Sequence, residues 1–61
     1  MKKCKVISVG VSGMIATERA EKLAAEINRY EAHGYQIKAV TFDSNNAWFY
    51  IFLEKDVKPQ P

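Results

Sequence analysis

The apolar residues of this chain of 61 residues fall into three extended runs and one stripe with helical spacing. Residues 3–11 are rich in β-branched side chains, which is typical of a strand. Apolar positions three and four residues apart then predict an amphipathic helix over residues 17–33, with Thr17 as its N-cap. The buried stripe predicted for this helix consists of Ala20, Leu23, Ala24, Ile27 and Tyr30.

Gly34 predicts the end of the helix, because the residue after a helix often adopts a left-handed backbone that penalises a side chain. Two further strands are predicted over residues 35–42 and 47–54, separated by a polar turn cluster at residues 43–46. The last strand is apolar on both of its faces and therefore belongs in the centre of the sheet. The pattern predicts an α+β fold of element order β-α-β-β, in which one helix covers one face of a three-stranded antiparallel sheet of order 1-3-2.

One helix cannot cover both faces of this sheet, so aromatic surface is left over. A second copy of the chain packs against it in the interpretation that we favour. In the second interpretation a planar ligand or nucleic-acid bases stack on it, and in the third the tail or the connection folds over it. The side chains expected on this oligomer or ligand face are Val40, Phe42, Trp48, Tyr50 and Phe52. Their neighbours in the opposite phase are the alternative set, because one residue of slip in the hairpin exchanges the two faces.

The length of the chain favours self-association. A domain this short buries only about 60% of its unfolded surface and usually depends on disulfides, metal or oligomerisation. We assign residues 1–56 to a single domain and residues 57–61 to a frayed tail. Cys4 is the single cysteine, which excludes an internal disulfide and suggests a reducing, cytoplasmic setting. We expect neither a secretion leader nor a membrane helix, which needs about 20 apolar residues.

The formal net charge of +2 is too small to predict binding to duplex nucleic acid, which requires a concentrated basic stripe. Lysines open the chain and are scattered over its later part, an arrangement typical of a solvated surface. Among these lysines, Lys5 and Lys38 are the candidate contacts for an anion.

The chain offers little catalytic chemistry. The topology brings Cys4, His33 and Glu54 toward one end of the sheet, and these are the residue types of a histidine-activated thiol. A strand cysteine is more often a small buried residue, however, and a histidine before Gly34 is more often a cation at the helix end. The connection at residues 10–13 lacks the lysine and hydroxyl residue of a P-loop. We predict no catalytic residue, no metal site and no cofactor.

Residues 27–40 read INRYEAHGYQIKAV, with an apolar–Asn pair at the helix end and Gly–aromatic–polar–apolar at the start of the next strand. This segment resembles the signature of domain-of-unknown-function family 4177, a family of short bacterial and phage proteins. Residues 49–55 are similar to the aromatic, lysine-closed last strand of that family, and residues 5–7 are similar to its first strand. Tyr35 stands where tryptophan is commoner. The resemblance implies a three-stranded sheet with one helix, an accessory role in a phage or mobile element, and no activity.

We therefore expect a non-enzymatic cytoplasmic module that forms a homo-oligomer through the aromatic face of its sheet. The first alternative is a phage-type accessory protein that binds or sequesters a small planar or phosphorylated ligand, such as a nucleotide signal or a flavin, between subunits. The second is binding of single-stranded nucleic acid by the same aromatic residues together with four lysines, Lys2, Lys3, Lys5 and Lys38.

Overall fold

The computed structural model describes residues 1–58. Its elements, in chain order, are β1 (Lys2–Gly10), α1 (Ala16–Glu31), β2 (Gln36–Asp43) and β3 (Trp48–Asp56). Both outer strands pair antiparallel with β3, so the sheet has the order β1-β3-β2. The predicted α+β class, the element order and the strand order are confirmed. No helix within residues 1–58 has the length and apolar character needed to cross a bilayer.

The start of α1 differs from the prediction. The helix begins at Ala16 and its N-cap is Ile15, so the assignment of the N-cap to Thr17 was wrong. Ile15 carries no side-chain acceptor, but its own amide donates a hydrogen bond to the Glu18 carboxylate at 3.1 Å. This is the glutamate half of a capping box, and it also places a negative charge near the positive end of the helix dipole.

The end of α1 follows the prediction for Gly34. The amide of Tyr35 donates to the carbonyl of Tyr30 at 3.1 Å, and the amide of Gly34 donates to the carbonyl of Glu31 at 3.0 Å. This pair of bonds is a Schellman motif. Gly34 has φ +88°, so the predicted left-handed residue is confirmed. The chain turns here directly into β2, which begins at Gln36.

The core is small and lies between α1 and the sheet. Within the described part of the chain, the buried apolar residues are Val9, Val11, Ile51 and Leu53. The helix contributes Leu23, Ile27 and Tyr30 to the side chains that pack against them, and none of its residues is fully buried. Ala20 and Ala24 are exposed, so the predicted helical stripe is wrong at these two positions. The helix therefore places only a thin layer of apolar side chains on the sheet.

The β2–β3 hairpin is shifted by one residue from the prediction, with a loop of the same length. Asp43 pairs with Trp48, and residues 44–47 form the loop. Ala47, predicted to begin the strand, lies in this loop with φ +54°. The Asp43 carboxylate holds the loop by accepting hydrogen bonds from the amide of Asn45 at 3.0 Å and from the side-chain amide of Asn46 at 2.9 Å.

A β-bulge at Lys38 changes the phase of β2. Ile37 pairs with Leu53, yet Ala39 already pairs with Phe52, so Lys38 is an extra residue in the ladder. A bulge of this kind interrupts the unpaired edge of an outer strand and hinders pairing with another chain at that edge.

The described structure ends close to its beginning. The amide of Val57 donates to the carbonyl of Met1 at 2.9 Å, which joins the residue after β3 to the residue before β1. Of the tail predicted at residues 57–61, residues 59–61 lie outside the described residues.

We predict that Gly34→Ala lowers the free energy of unfolding by about 1–2 kcal/mol, the cost of a left-handed backbone for a residue that carries a Cβ. A Cβ at this position would also lie 3.4 Å from Cε of Lys55. Urea denaturation followed by circular dichroism measures the change. Gly10→Ala is the control, because its added Cβ meets nothing within 4 Å. Equal losses of stability in the two variants would contradict the role assigned to Gly34.

The hairpin loop predicts a dependence of stability on the ionisation of Asp43. The side-chain hydrogen bond from Asn46, with the amides of Asn45 and Asn46, lowers the pKa of Asp43 below its ordinary value of 3.8. The stabilisation is therefore fully present above that ordinary value and is lost as the pH falls through the lower pKa of the folded state. We expect Asn46→Ala to raise the pKa of Asp43, measured by NMR titration of its carboxyl carbon. An unchanged pKa in this variant would show that the loop does not act on the carboxylate.

Candidate functional site

The pairing of β3 with its neighbours assigns every strand side chain to one face of the sheet, because residues directly opposite each other point to the same side. Val6 pairs with Phe52 and Ser8 pairs with Tyr50, on the side away from α1. We call this side the open face; its side chains in the middle of the sheet are Val6, Ser8, Ala39, Thr41, Trp48, Tyr50 and Phe52. Three of the five residues predicted for the oligomer or ligand face therefore share this surface.

The prediction is wrong for the other two residues, Val40 and Phe42. Val40 pairs with Ile51 and Phe42 pairs with Phe49, on the side that α1 covers. The Phe42 and Phe49 rings lie 4.8 Å apart. The physical reason is the even number of residues between Asp43 and Trp48, which pairs even positions of β2 with odd positions of β3.

The open face is apolar and shallow. Trp48 is 40% exposed, Phe52 39% and Val6 56%, and Tyr50 is half-buried between them. Trp48 and Tyr50 line an open groove of about 270 Å³ together with Ser8 and the loop residue Asn46. The groove has a polar rim and an aromatic wall, which suits a protruding apolar side chain better than a large ligand.

One end of the open face carries a compact network of charges. The Lys2 ammonium lies 3.1 Å from the Asp56 carboxylate and 3.4 Å from that of Glu54. The hydrogen bond to Asp56 and its charge, with a smaller contribution from Glu54, raise the pKa of Lys2 above 10.5. Lys38 reaches the same Glu54 oxygen at 3.6 Å. The charges at this end therefore neutralise one another.

The two lysines predicted as anion contacts lie on opposite sides of the sheet. Lys5 pairs with Leu53 on the helix side, whereas Lys38 reaches Glu54 on the open face. No single small anion contacts both of them. Lys38 is moreover paired with the Glu54 carboxylate, so of these two predicted contacts only Lys5 has no carboxylate oxygen within 4.0 Å in residues 1–58.

The sheet also separates Cys4 from His33. Cys4 is exposed and pairs with Glu54 on the open face. His33 lies on the helix side, where its Nδ1–H donates to the carbonyl of Arg29 at 2.8 Å. The two side chains do not form a thiol–imidazole pair. Residues 1–58 also contain no cluster of three or more His, Cys, Asp or Glu placed to hold a metal ion.

A second concave surface lies on the helix side, where the end of α1 meets the start of β1 and the end of β3. We call it the basic pocket; it has a volume of about 320 Å³ and is lined by Lys5, Arg29, Tyr30, His33, Tyr35 and Lys55. Of these residues only Lys5 was predicted as an anion contact. The topology could have identified the pocket from the sequence, because a helix antiparallel to β1 returns the chain to the start of β1.

The tyrosine rings hold the cations of this pocket in place. The Lys5 ammonium lies 5.2 Å from the centre of the Tyr30 ring, and the Arg29 guanidinium lies 5.6 Å from the same ring. The Lys55 ammonium lies 5.2 Å from the centre of the Tyr35 ring. Such contacts are attractive because the face of an aromatic ring carries partial negative charge.

Comparisons of the chain with protein-family models, with curated proteins and with solved structures find no match. The resemblance of residues 27–40 to a family of short bacterial and phage proteins therefore stays a prediction. The functional argument depends on the geometry of the open face and the basic pocket.

Proposed function

We propose that this chain is a small, non-enzymatic, cytoplasmic module that forms a homo-oligomer, with a dimer as its basic unit, through the open face. The observation that carries the proposal is the row of aromatic side chains on the central strand, Trp48, Tyr50 and Phe52, on the side of the sheet without a helix. Aromatic residues are enriched in the centres of protein interfaces and depleted on surfaces that remain in water.

The small core is a second argument for a further layer of structure on the open face. Within residues 1–58 the buried apolar side chains are Val9, Val11, Ile51 and Leu53, all on the helix side. A chain of this length depends on an additional source of stability, and its single cysteine cannot supply a disulfide within the chain. Packing a second sheet on the open face would bury both sides of β3, as its composition requires.

The charges favour a second copy as the occupant of this face. Lys2 and Lys38 of the open face are paired with Glu54 and Asp56, so two such faces can approach without strong repulsion. A two-fold contact brings the same surface together from both copies and therefore needs a surface that tolerates itself. The basic pocket concentrates positive charge, so the pockets of two copies would repel each other in such a contact.

The size of the open face predicts a moderate affinity. Three strands of eight or nine residues, about 4.8 Å apart, cover about 14 by 30 Å. A contact of this size lies at the low end of specific interfaces, for which about 800 Å² per partner is usual. We therefore expect association in the micromolar range, with the dimer in equilibrium with the monomer.

The two alternative functions need aromatic rings and free cations on one surface. On the open face, Lys2 and Lys38 are engaged by carboxylates, whereas Lys3 and Lys5 lie on the helix side of the sheet. A nucleotide or single strand stacked on Trp48 would therefore meet few free cations. This arrangement favours self-association over stacking of a ligand or of bases on the open face.

We predict that Trp48→Glu shifts the self-association equilibrium to the monomer, because it buries an unpaired carboxylate in the interface. Multi-angle light scattering over a concentration series should show the wild-type mass rising from 6.9 kDa toward about twice that value. The variant should stay at the monomer mass at every concentration. Val6→Glu, at the most exposed apolar position of the open face, should have the same effect with less disturbance of the hairpin.

Ile15→Glu is the matched control. Ile15 is 67% exposed and equally apolar, but it lies at the start of α1 rather than on the open face. This variant should associate like the wild type. A wild-type chain that stays monomeric up to millimolar concentration would contradict the proposal, and so would equal losses of association in all three variants.

A further inference from the structure

We propose that the basic pocket is a binding site for the phosphate group of a small phosphorylated ligand. This site lies within one protomer, on the side of the sheet opposite the open face, so it is independent of self-association. The pocket collects Lys5 from β1, Lys55 from β3, Arg29 from the last turn of α1 and His33 from the turn that follows the helix. Residues distant in sequence thus converge on one concavity of about 320 Å³, a volume near the lower limit for small-ligand sites.

The pocket holds more positive charge than its surroundings compensate. Lys55 lies directly opposite Lys3 in the β1–β3 ladder, and like charges in this position destabilise a sheet. The neighbouring acids of β3, Glu54 and Asp56, belong to the open face and pair with Lys2. An anion in the pocket would supply the missing charge.

The carboxylate nearest to this cluster is on α1. Glu26 contacts the guanidinium of Arg29 at 3.9 Å, near the limit for an ion pair. Across residues 1–58, neither Lys5 nor Lys55 has a carboxylate oxygen within 4.0 Å of its ammonium. These two lysines therefore keep their hydrogen-bond donors available to a ligand.

The negative end of the helix dipole explains why cations lie at this position, but it does not compensate their total charge. The C-terminus of a helix carries about half a negative charge, which attracts cations and would repel an anion. The ammonium groups of Lys5 and Lys55 and the guanidinium of Arg29 together exceed this partial charge several-fold. The net field in the pocket is therefore positive, and the tyrosine rings hold the side chains in place before a ligand arrives.

The donor set identifies phosphate as the ligand group. A guanidinium offers two parallel donors to a phosphate, and an ammonium acts as a compact point charge beside it. Two cations lie near the Tyr30 ring and one lies near the Tyr35 ring, so a base that stacked on either ring would compete with a cation. These features favour a small phosphorylated molecule over single-stranded nucleic acid.

The test is an NMR titration of the ¹⁵N-labelled full chain at low ionic strength with inorganic phosphate, with glycerol phosphate and with a short single-stranded DNA. We expect both phosphate compounds to bind saturably, with dissociation constants of about 1 mM. The amide shifts should centre on Lys5, Gly34 and Lys55. Lys55→Gln and Lys5→Gln should each weaken binding about tenfold.

Lys38→Gln is the matched control, because it removes the same charge from the open face. Its affinity for phosphate should equal that of the wild type. Lys55→Gln should unfold at about the same urea concentration as the wild type, since it removes both the repulsion by Lys3 and the attraction to the Tyr35 ring. Weaker binding in this variant therefore cannot be assigned to unfolding.

Three results would overturn the proposal. The first is the absence of saturable shifts at about 20 mM phosphate, well above the expected dissociation constant. The second is an equal loss in Lys38→Gln and Lys55→Gln, which would mean attraction to net charge alone. The third is tighter binding of the DNA than of both phosphate compounds at the same residues, which would make the pocket part of a nucleic-acid surface.

Discussion

The register of the central strand β3 is the constraint on which the rest of this structure depends. Odd positions of β3, Phe49, Ile51 and Leu53, face α1, whereas the even positions face away from it. A shift of the register by one residue would exchange the two sets. The same pairing therefore determines which side chains build the core and which aromatic rings remain available to a partner.

The register also determines on which face of the sheet each charged strand residue lies. Lys3, Lys5 and Lys55 occupy the side of the helix, and Lys2, Glu54 and Asp56 occupy the open face. Strand charges of opposite sign thus meet on the open face, whereas the strand charges on the side of the helix are all positive. A three-stranded sheet with a single helix in this way presents two chemically different surfaces, one apolar and nearly neutral, the other concave and basic.

The fold could be predicted from the sequence because its signals are local. Gly34 has a backbone requirement that few other residues meet, and the unbroken apolar run of β3 belongs at the centre of a sheet. The placement of Val40 and Phe42 was wrong because the loop has four residues, as in the prediction, and such a loop pairs even positions of β2 with odd positions of β3. The prediction placed even positions of both strands on one face, which this pairing does not allow. The N-cap was missed because Glu18 caps the amide of Ile15, a residue type that rarely caps helices.

The basic pocket was missed for a different reason. Its residues come from three elements, and only the assembled topology brings Lys55 beside Tyr35 and Lys5 beside Tyr30. Side chains that converge through tertiary structure leave no spacing pattern in the sequence. The open face was partly predictable, since an apolar strand under a single helix must leave one of its faces uncovered.

The most direct test of the central claim uses the fluorescence of Trp48, the one tryptophan of the chain, which lies on the open face. If two copies join through this face, the indole loses water at high protein concentration. Its emission should then shift to the blue and its quenching by acrylamide should fall, with both changes reversed on dilution. Emission and quenching that stay those of a half-exposed indole at every concentration, while the mass of the particle doubles, would show that the copies join elsewhere.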